Sequence, residues 1–303
     1  MPLKNHPSLL ALLDKAAAAG TSHPRPLAVF DCDGTVIKGD IGESVFFRQI
    51  EEFMFQVSPA ELWVDNPHRL ELDRAYKQLE NLSPKSRTGH PAFEAFAGYL
   101  LSWYYEQLAD GKVAKACADI VRLFAGFHES DVRTFAAHTL KHEMQVPIGP
   151  KRLGGRTVHS GVRFLREAVE LVRLLQDHRF DIWAVSGSSL WSVEPVFQAL
   201  GVPASQVIGI SLKCNNGTLS SEAVEPIPIR QEKGSALKAR ESRIPLLVAT
   251  DSRNDIPLLL YSSGVKVWIN SRQRSSEEFF ASVGSGPDAQ WLVVETPTII
   301  HNN

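Results

Sequence analysis

A chain of 303 residues, 44% of them hydrophobic, has enough apolar content to bury the core of one large domain or of two of ordinary size. Its 32 lysines and arginines nearly balance 34 aspartates and glutamates, so a net charge of -2 gives no electrostatic case for nucleic acid or an anionic membrane as partner. That charge balance leaves a small molecule as the default ligand, and the three cysteines, Cys32, Cys117 and Cys214, odd in number and unspaced for a metal site, fit a reducing, cytoplasmic setting.

In chain order, residues 7–16 read as a short surface helix, because charges interrupt the apolar run before it can serve as a secretory segment. No stretch approaches the roughly eighteen unbroken apolar residues of a membrane span. Residues 27–30 are an apolar, strand-forming run that drives into Asp31-Cys32-Asp33-Gly34-Thr35, two acids one residue apart followed by a glycine that lets the backbone turn. The pattern then changes. From about Gly42 to Glu143 the periodicity is helical, with helices expected over 45–54, 69–80, 91–109, 112–124 and 129–143. Residues 147–156, rich in glycine, proline and charge, suit a hinge or linker.

Alternation of helix and strand takes over from there. A helix with Phe164, Leu165, Ala168, Leu171, Val172 and Leu175 on one face leads to a strand over 180–185, which ends in Ser186-Gly187-Ser188-Ser189. Residues 207–213 and 218–221 flank Asn216-Gly217, a pair that suits a type I′ hairpin turn. A helix over 233–241 follows. Strands over 246–250 and 265–269 bracket Asp251-Ser252-Arg253-Asn254-Asp255, and a last strand covers 290–294. Such alternation implies an α/β fold, a doubly wound parallel sheet covered on both faces, interrupted by an inserted all-α segment. The boundaries read as 1–40 and 156–303 for the α/β core and 41–155 for the helical insertion with its linker.

Four sites at strand ends or helix starts carry chemistry: Asp31 with Asp33, Ser186 with Gly187, Lys233, and Asp251 with Asp255. Each alone has a plainer reading as a turn, a cap or a solvated lysine. In an open parallel sheet the carboxyl ends of strands face the ligand crevice, so acids delivered there are placed for chemistry. Two residues along an extended chain return a side chain to the same face, which lets Asp31 and Asp33 address one ligand.

These motifs, in this order, resemble the haloacid dehalogenase superfamily of phosphohydrolases. Asp31-Cys32-Asp33-Gly34-Thr35 looks like its first motif, Val185-Ser186-Gly187 its second, Lys233 its third and Thr250-Asp251-Ser252-Arg253-Asn254-Asp255 its fourth. Lys233-Gly234-Ser235-Ala236-Leu237 and Asn254-Asp255-Ile256-Pro257-Leu258 are most similar to the branch of phosphoserine and phosphorylcholine phosphatases. The second motif departs from that branch in reading Ser-Gly-Ser-Ser, and the inserted segment is longer than a phosphoserine phosphatase cap.

The resemblance implies a Rossmann-like catalytic core carrying an inserted all-α cap domain, and a phosphatase that hydrolyses a small organic phosphomonoester through an aspartyl-phosphate. Asp31 would be the nucleophile and Asp33 the acid and base. Ser186, Gly187 and Lys233 would hold the phosphate, with Thr35 placing the carboxylate or the phosphate. Asp31, Asp33 and Asp251 would hold Mg2+, with Asp255 as a further ligand or as the residue that orients Lys233; oxygen donors suit this hard cation. Asp40 occupies the place of a substrate-contacting acid and suits an amino-bearing substrate. Trp63, Trp103, Tyr104 and Tyr105 would either box a quaternary amine or pack in the core of the cap. A phosphotransferase or mutase would use the same residues, and a non-catalytic binding protein would leave them idle. Oligomeric state is not legible from the sequence.

Overall fold

The computed structural model describes residues 6–18, 24–87, 89–284 and 290–301. The chain divides into two compact units, one of residues 1–40, 162–209 and 228–303, the other of residues 41–161 and 210–227.

The first unit is built on a six-stranded sheet. Across it the order runs Trp291–Val294, Val265–Ile269, Leu247–Thr250, Leu27–Phe30, Asp181–Ser189, Val207–Ile210. Leu27–Phe30 pairs in parallel with both Leu247–Thr250 and Asp181–Ser189, and the next two pairings outward on the Leu247 side are parallel as well. The chain therefore lays down its first strand, builds one edge of the sheet, then returns to the other side of that strand to build the opposite edge. That reversal is a topological switch point, and it opens a crevice at the carboxyl end of Leu27–Phe30.

Burial on both faces explains why these strands read as continuous apolar runs. Leu27 and Val29 turn to one side, where they join Trp183, Val185, Val248, Leu237, Leu258, Trp268, Phe279 and Trp291. Ala28 and Phe30, fully buried as well, alternate to the other side. Trp268 stacks on Phe279 with ring centroids 4.2 Å apart, and Phe280 and Trp291 meet edge to face. On helix Arg166–Asp177 the residues Ala168, Leu171, Val172 and Leu175 are buried, the three-and-four spacing of a single apolar stripe.

The second unit is mainly helical. Its longer helices are Ile41–Glu51, Arg69–Leu79, Pro91–Ala109, Val113–Arg122 and Glu129–Glu143. Aromatic side chains fill its interior, with Phe53, Phe55, Tyr76 and Phe96 in mutual contact. Trp63 is buried and donates to the Asp119 carbonyl at 3.0 Å, and Tyr104 is buried with its hydroxyl donating to Glu43, so both serve this interior.

Two hairpins accompany the helices and differ from what the composition suggested. Residues 147–156, which read as a linker, include the strand Gly149–Leu153, which pairs antiparallel with Arg156–Ser160. Gly154 and Gly155 both take positive φ and make the turn, a use of paired glycines that composition does not separate from a hinge. The hairpin Leu212–Asn215 and Thr218–Ala223 has the expected Asn216-Gly217 turn, with φ of 49° and 84°. It nevertheless belongs with the helical unit, because the Gly126 and Glu129 amides donate to the carbonyls of Leu219 and Gly217 at 2.8 Å. Strand alternation alone assigned it to the sheet unit. Among the described residues no helix is long and apolar enough to cross a membrane.

Candidate active site

Three strands deliver the site. Phe30 is followed by Asp31 and a tight turn in which the Thr35 and Val36 amides donate to the Cys32 carbonyl. Gly34 sits at φ 82° against Asp251, which follows Thr250 on the neighbouring strand. A Cβ at Gly34 would come within 2.6 Å of Asp251 Cγ, so the first and fourth motifs touch only because this residue lacks a side chain. The remaining neighbour, Asp181–Ser189, brings Ser186 and Ser188, and its last residue caps helix Leu190–Gln198 by accepting from the Ser192 amide.

Lys233 is the hub. The residue is 5% exposed, and its ammonium donates to Asp31 Oδ1 and to Asp255 Oδ2, both at 2.8 Å. Thr35 Oγ1 donates to Asp31 Oδ2 at 3.1 Å and Thr250 Oγ1 to Asp255 Oδ2 at 2.7 Å. Burial pulls the Lys233 pKa down, but the charges of Asp255 and Asp31 and the hydrogen bonds to both outweigh that and hold it above its ordinary value. Lys233 therefore stays charged, and Asp31 has both oxygens fixed by donors.

Asp33 Oδ2 accepts from Ser188 Oγ at 2.6 Å and from Ser186 Oγ at 3.4 Å. Cys32, between the two acids, is fully buried. Burial first and then the charges of Asp33 and Asp31 push its thiol well above the usual range, so it is a neutral filler and no nucleophile.

Asp251 is 2% exposed and neither of its oxygens has a well-directed hydrogen bond, although Arg272 Nε lies 2.6 Å from Oδ2. Burial pushes its pKa up to about 7; the Arg272 charge opposes this, and Asp31 and Asp255 add to it. Among the described residues no three or more His, Cys, Asp or Glu side chains stand together as a complete metal cage. The donor set still fits a magnesium ion. A buried carboxylate short of partners faces the turn that carries Asp31 and Asp33, all donors are oxygen, and this cation keeps several waters of its own. Asp31, Asp251 and the Asp33 backbone carbonyl are the residues that would hold it. Asp255, which the pattern also offered as a ligand, has Oδ2 taken up by Lys233 and Thr250.

Of the residues singled out from the sequence, Asp31, Asp33, Thr35, Ser186, Lys233, Asp251 and Asp255 are brought together. Gly187 lies beside Ser186, packed toward Ile229. Asp40 is half-buried and within electrostatic reach of Arg272 and Cys32. Three further residues were missed: Ser188, Thr250 and Arg272. Strand period two from Ser186 signals Ser188. Arg272, in the loop after Val265–Ile269, has no such signal.

A carboxylate centre buried at the switch point of a parallel α/β sheet is the arrangement of an enzyme. The family model of the haloacid dehalogenase-like hydrolases matches residues 28–260, and the chain belongs to that family. Over 128 residues it is 29% identical to a protein named phosphoserine phosphatase from Halobacterium salinarum; the match takes in 41% of this chain and 60% of that relative, less than two thirds of its length. Among solved structures, a conserved protein of unknown function from Anaerococcus prevotii has a TM-score of 0.67 at 18% identity, with 85% of this chain and 83% of that one covered. A protein of unknown function from Bordetella pertussis Tohama I has a TM-score of 0.54 at 16% identity, with 90% and 99% covered. These two share the fold.

The raised pKa of Asp251 sets a direction for stability. In chelator, the folded chain keeps a proton that the unfolded chain, near the ordinary value of 3.8, has lost. The stabilisation is full below that value and is lost as the pH rises through about 7. The melting temperature of chelator-treated protein should therefore fall between about pH 4 and pH 7, and Asp251→Asn should flatten that fall. Equal slopes in the two proteins would contradict the assignment.

Proposed function

We propose that this chain is a magnesium-dependent phosphomonoesterase that acts on a small phosphorylated metabolite through a phosphoryl-Asp31 intermediate. The observation that carries the reading is the double fixation of Asp31, by Lys233 on one oxygen and Thr35 on the other, beside an Asp33 held by serine hydroxyls. A carboxylate so placed is pre-aimed for in-line attack.

A phosphate monoester is an anion, so a carboxylate approaches its phosphorus only against repulsion. Lys233 supplies one counter-charge, and a magnesium ion held by Asp31, Asp251 and the Asp33 carbonyl would screen the rest. As the Asp31–phosphorus bond forms, the ester oxygen leaves and takes a proton from Asp33. Asp33 then accepts a proton from the water that cleaves the acyl phosphate, which returns both carboxylates to their starting state. Ser186 and Lys233 hold the equatorial oxygens, where charge is spread in the transition state. Asp255 keeps Lys233 in place.

The match to a relative named phosphoserine phosphatase supports the phosphomonoester reading, and Asp40 at the edge of this acidic centre suits an ammonium on the substrate. The cysteine usage and the absence, among the described residues, of a membrane-spanning helix are in keeping with a cytoplasmic enzyme.

Phosphate release from para-nitrophenyl phosphate should require added magnesium, vanish in chelator and fall at least about a thousandfold in Asp31→Asn. Release that survives Asp31→Asn, or that ignores the metal, would sink the mechanism. Across a panel of phosphorylated metabolites, Asp40→Ala should raise KM about tenfold for amine-bearing substrates and leave the others nearly unchanged. A uniform change would remove Asp40 from substrate recognition.

A further inference from the structure

The fourth residue of Ser186-Gly187-Ser188-Ser189 caps a helix and the first faces Asp33; the third is not explained by the chemistry above. Ser188 lies on the extended strand Asp181–Ser189, two residues beyond Ser186, so both hydroxyls emerge on one side of the sheet. The backbone amide of Ser188 donates to Ser186 Oγ at 3.1 Å, which ties the two serines into one small network. Both hydroxyls then reach the same carboxylate oxygen, Asp33 Oδ2, but unequally: Ser188 at 2.6 Å and Ser186 at 3.4 Å. The shorter distance is that of a charge-assisted O–H···O⁻ bond and the longer one is weak. Ser188, half-buried, is thus the principal hydrogen-bond donor among the serines around Asp33.

We infer that Ser188 is a positioning residue for proton transfer: its hydroxyl fixes the rotamer of Asp33, so that the carboxyl group is aimed at the departing ester oxygen. This rests on the phosphomonoesterase reading and deepens it. A hydroxyl suits the task because it both donates and accepts. It donates to Asp33 while that group is a carboxylate, and by rotating it stays in contact when Asp33 carries the proton, so the geometry survives both halves of the cycle. Without it Asp33 loses the short one of its two serine contacts, and a carboxyl less firmly aimed meets the leaving oxygen in proton-transfer geometry less often.

A residue that acts through the acid leaves a mark that a merely structural residue does not. Departure of a nitrophenolate needs little help from an acid, whereas departure of an alkoxide needs a proton. The quantity to compare is kcat/KM, which covers the steps up to loss of the leaving group and excludes later hydrolysis of the intermediate. The experiment measures kcat/KM of wild type, Ser188→Ala and Ser188→Thr, with saturating magnesium, on para-nitrophenyl phosphate and on a simple alkyl phosphate. Circular dichroism and melting curves check that each variant is folded.

Ser188→Ala should lose about tenfold or more on the alkyl ester and only about twofold on the aryl ester, with Ser188→Thr restoring most of the alkyl loss. Equal losses on the two esters, no loss on either, or a folded threonine variant that rescues nothing would overturn the inference while leaving the phosphatase reading intact. If wild type hydrolyses neither ester, the phosphatase reading falls and this inference falls with it.

Discussion

Carboxylates removed from water and set close together repel one another, and each also forfeits its hydration. In this molecule Asp31, Asp251 and Asp255 are 5%, 2% and 3% exposed, and they stand within electrostatic reach of one another. A core enclosing them needs a cation of its own, and Lys233 supplies it by bridging Asp31 and Asp255 at 2.8 Å each. The remaining features follow from that constraint. Thr35 satisfies the Asp31 oxygen that Lys233 does not reach, Thr250 adds a second donor to the Asp255 oxygen that it does, and Asp251, beside Arg272, accepts no well-directed hydrogen bond, its pKa displaced upward by burial. A buried carboxylate with no well-directed hydrogen bond and a fixed ammonium are the features on which the proposed binding of a divalent cation and a phosphate rests.

Topology explains why these residues meet although 220 positions separate Asp31 from Asp251. The strand Leu27–Phe30 lies between Asp181–Ser189 and Leu247–Thr250, and all three run parallel, so their carboxyl ends open on one crevice. Leu27–Phe30 is apolar throughout, and on its two neighbours the polar residues Ser186 and Thr250 follow the apolar runs 182–185 and 247–249. Gly34 completes the arrangement, since a side chain at its positive φ would occupy the space of the Asp251 carboxylate. The mainly helical unit enters the chain immediately after this turn, at residue 41.

Much of this was legible in the sequence because strand-end chemistry is locally encoded. A strand-forming run ending in Asp-x-Asp-Gly, or a Thr-Asp with a second acid four residues on, carries its own context, and helices such as Pro91–Ala109 announce themselves by period. The hairpins were harder. Gly154-Gly155 serves a tight turn as readily as a hinge, and Asn216-Gly217 fixes the turn without saying which unit the strands join. That choice rests on hydrogen bonds to Leu219 and Gly217, contacts across ninety residues. Arg272 was invisible because an arginine in a polar loop has no period, and Ser188 was noted only as a departure from a motif. Its meaning lies in a distance to Asp33.

The central claim is that Asp31 itself takes the phosphoryl group. The most direct measurement is an acid quench during turnover, followed by digestion and mass spectrometry of the peptide that contains Asp31. A phosphoryl group on Asp31, formed within the turnover time and lost with added hydroxylamine, is the predicted result. Full turnover with no phosphorylated peptide at any quench time would mean that water attacks the substrate directly, and would contradict the account.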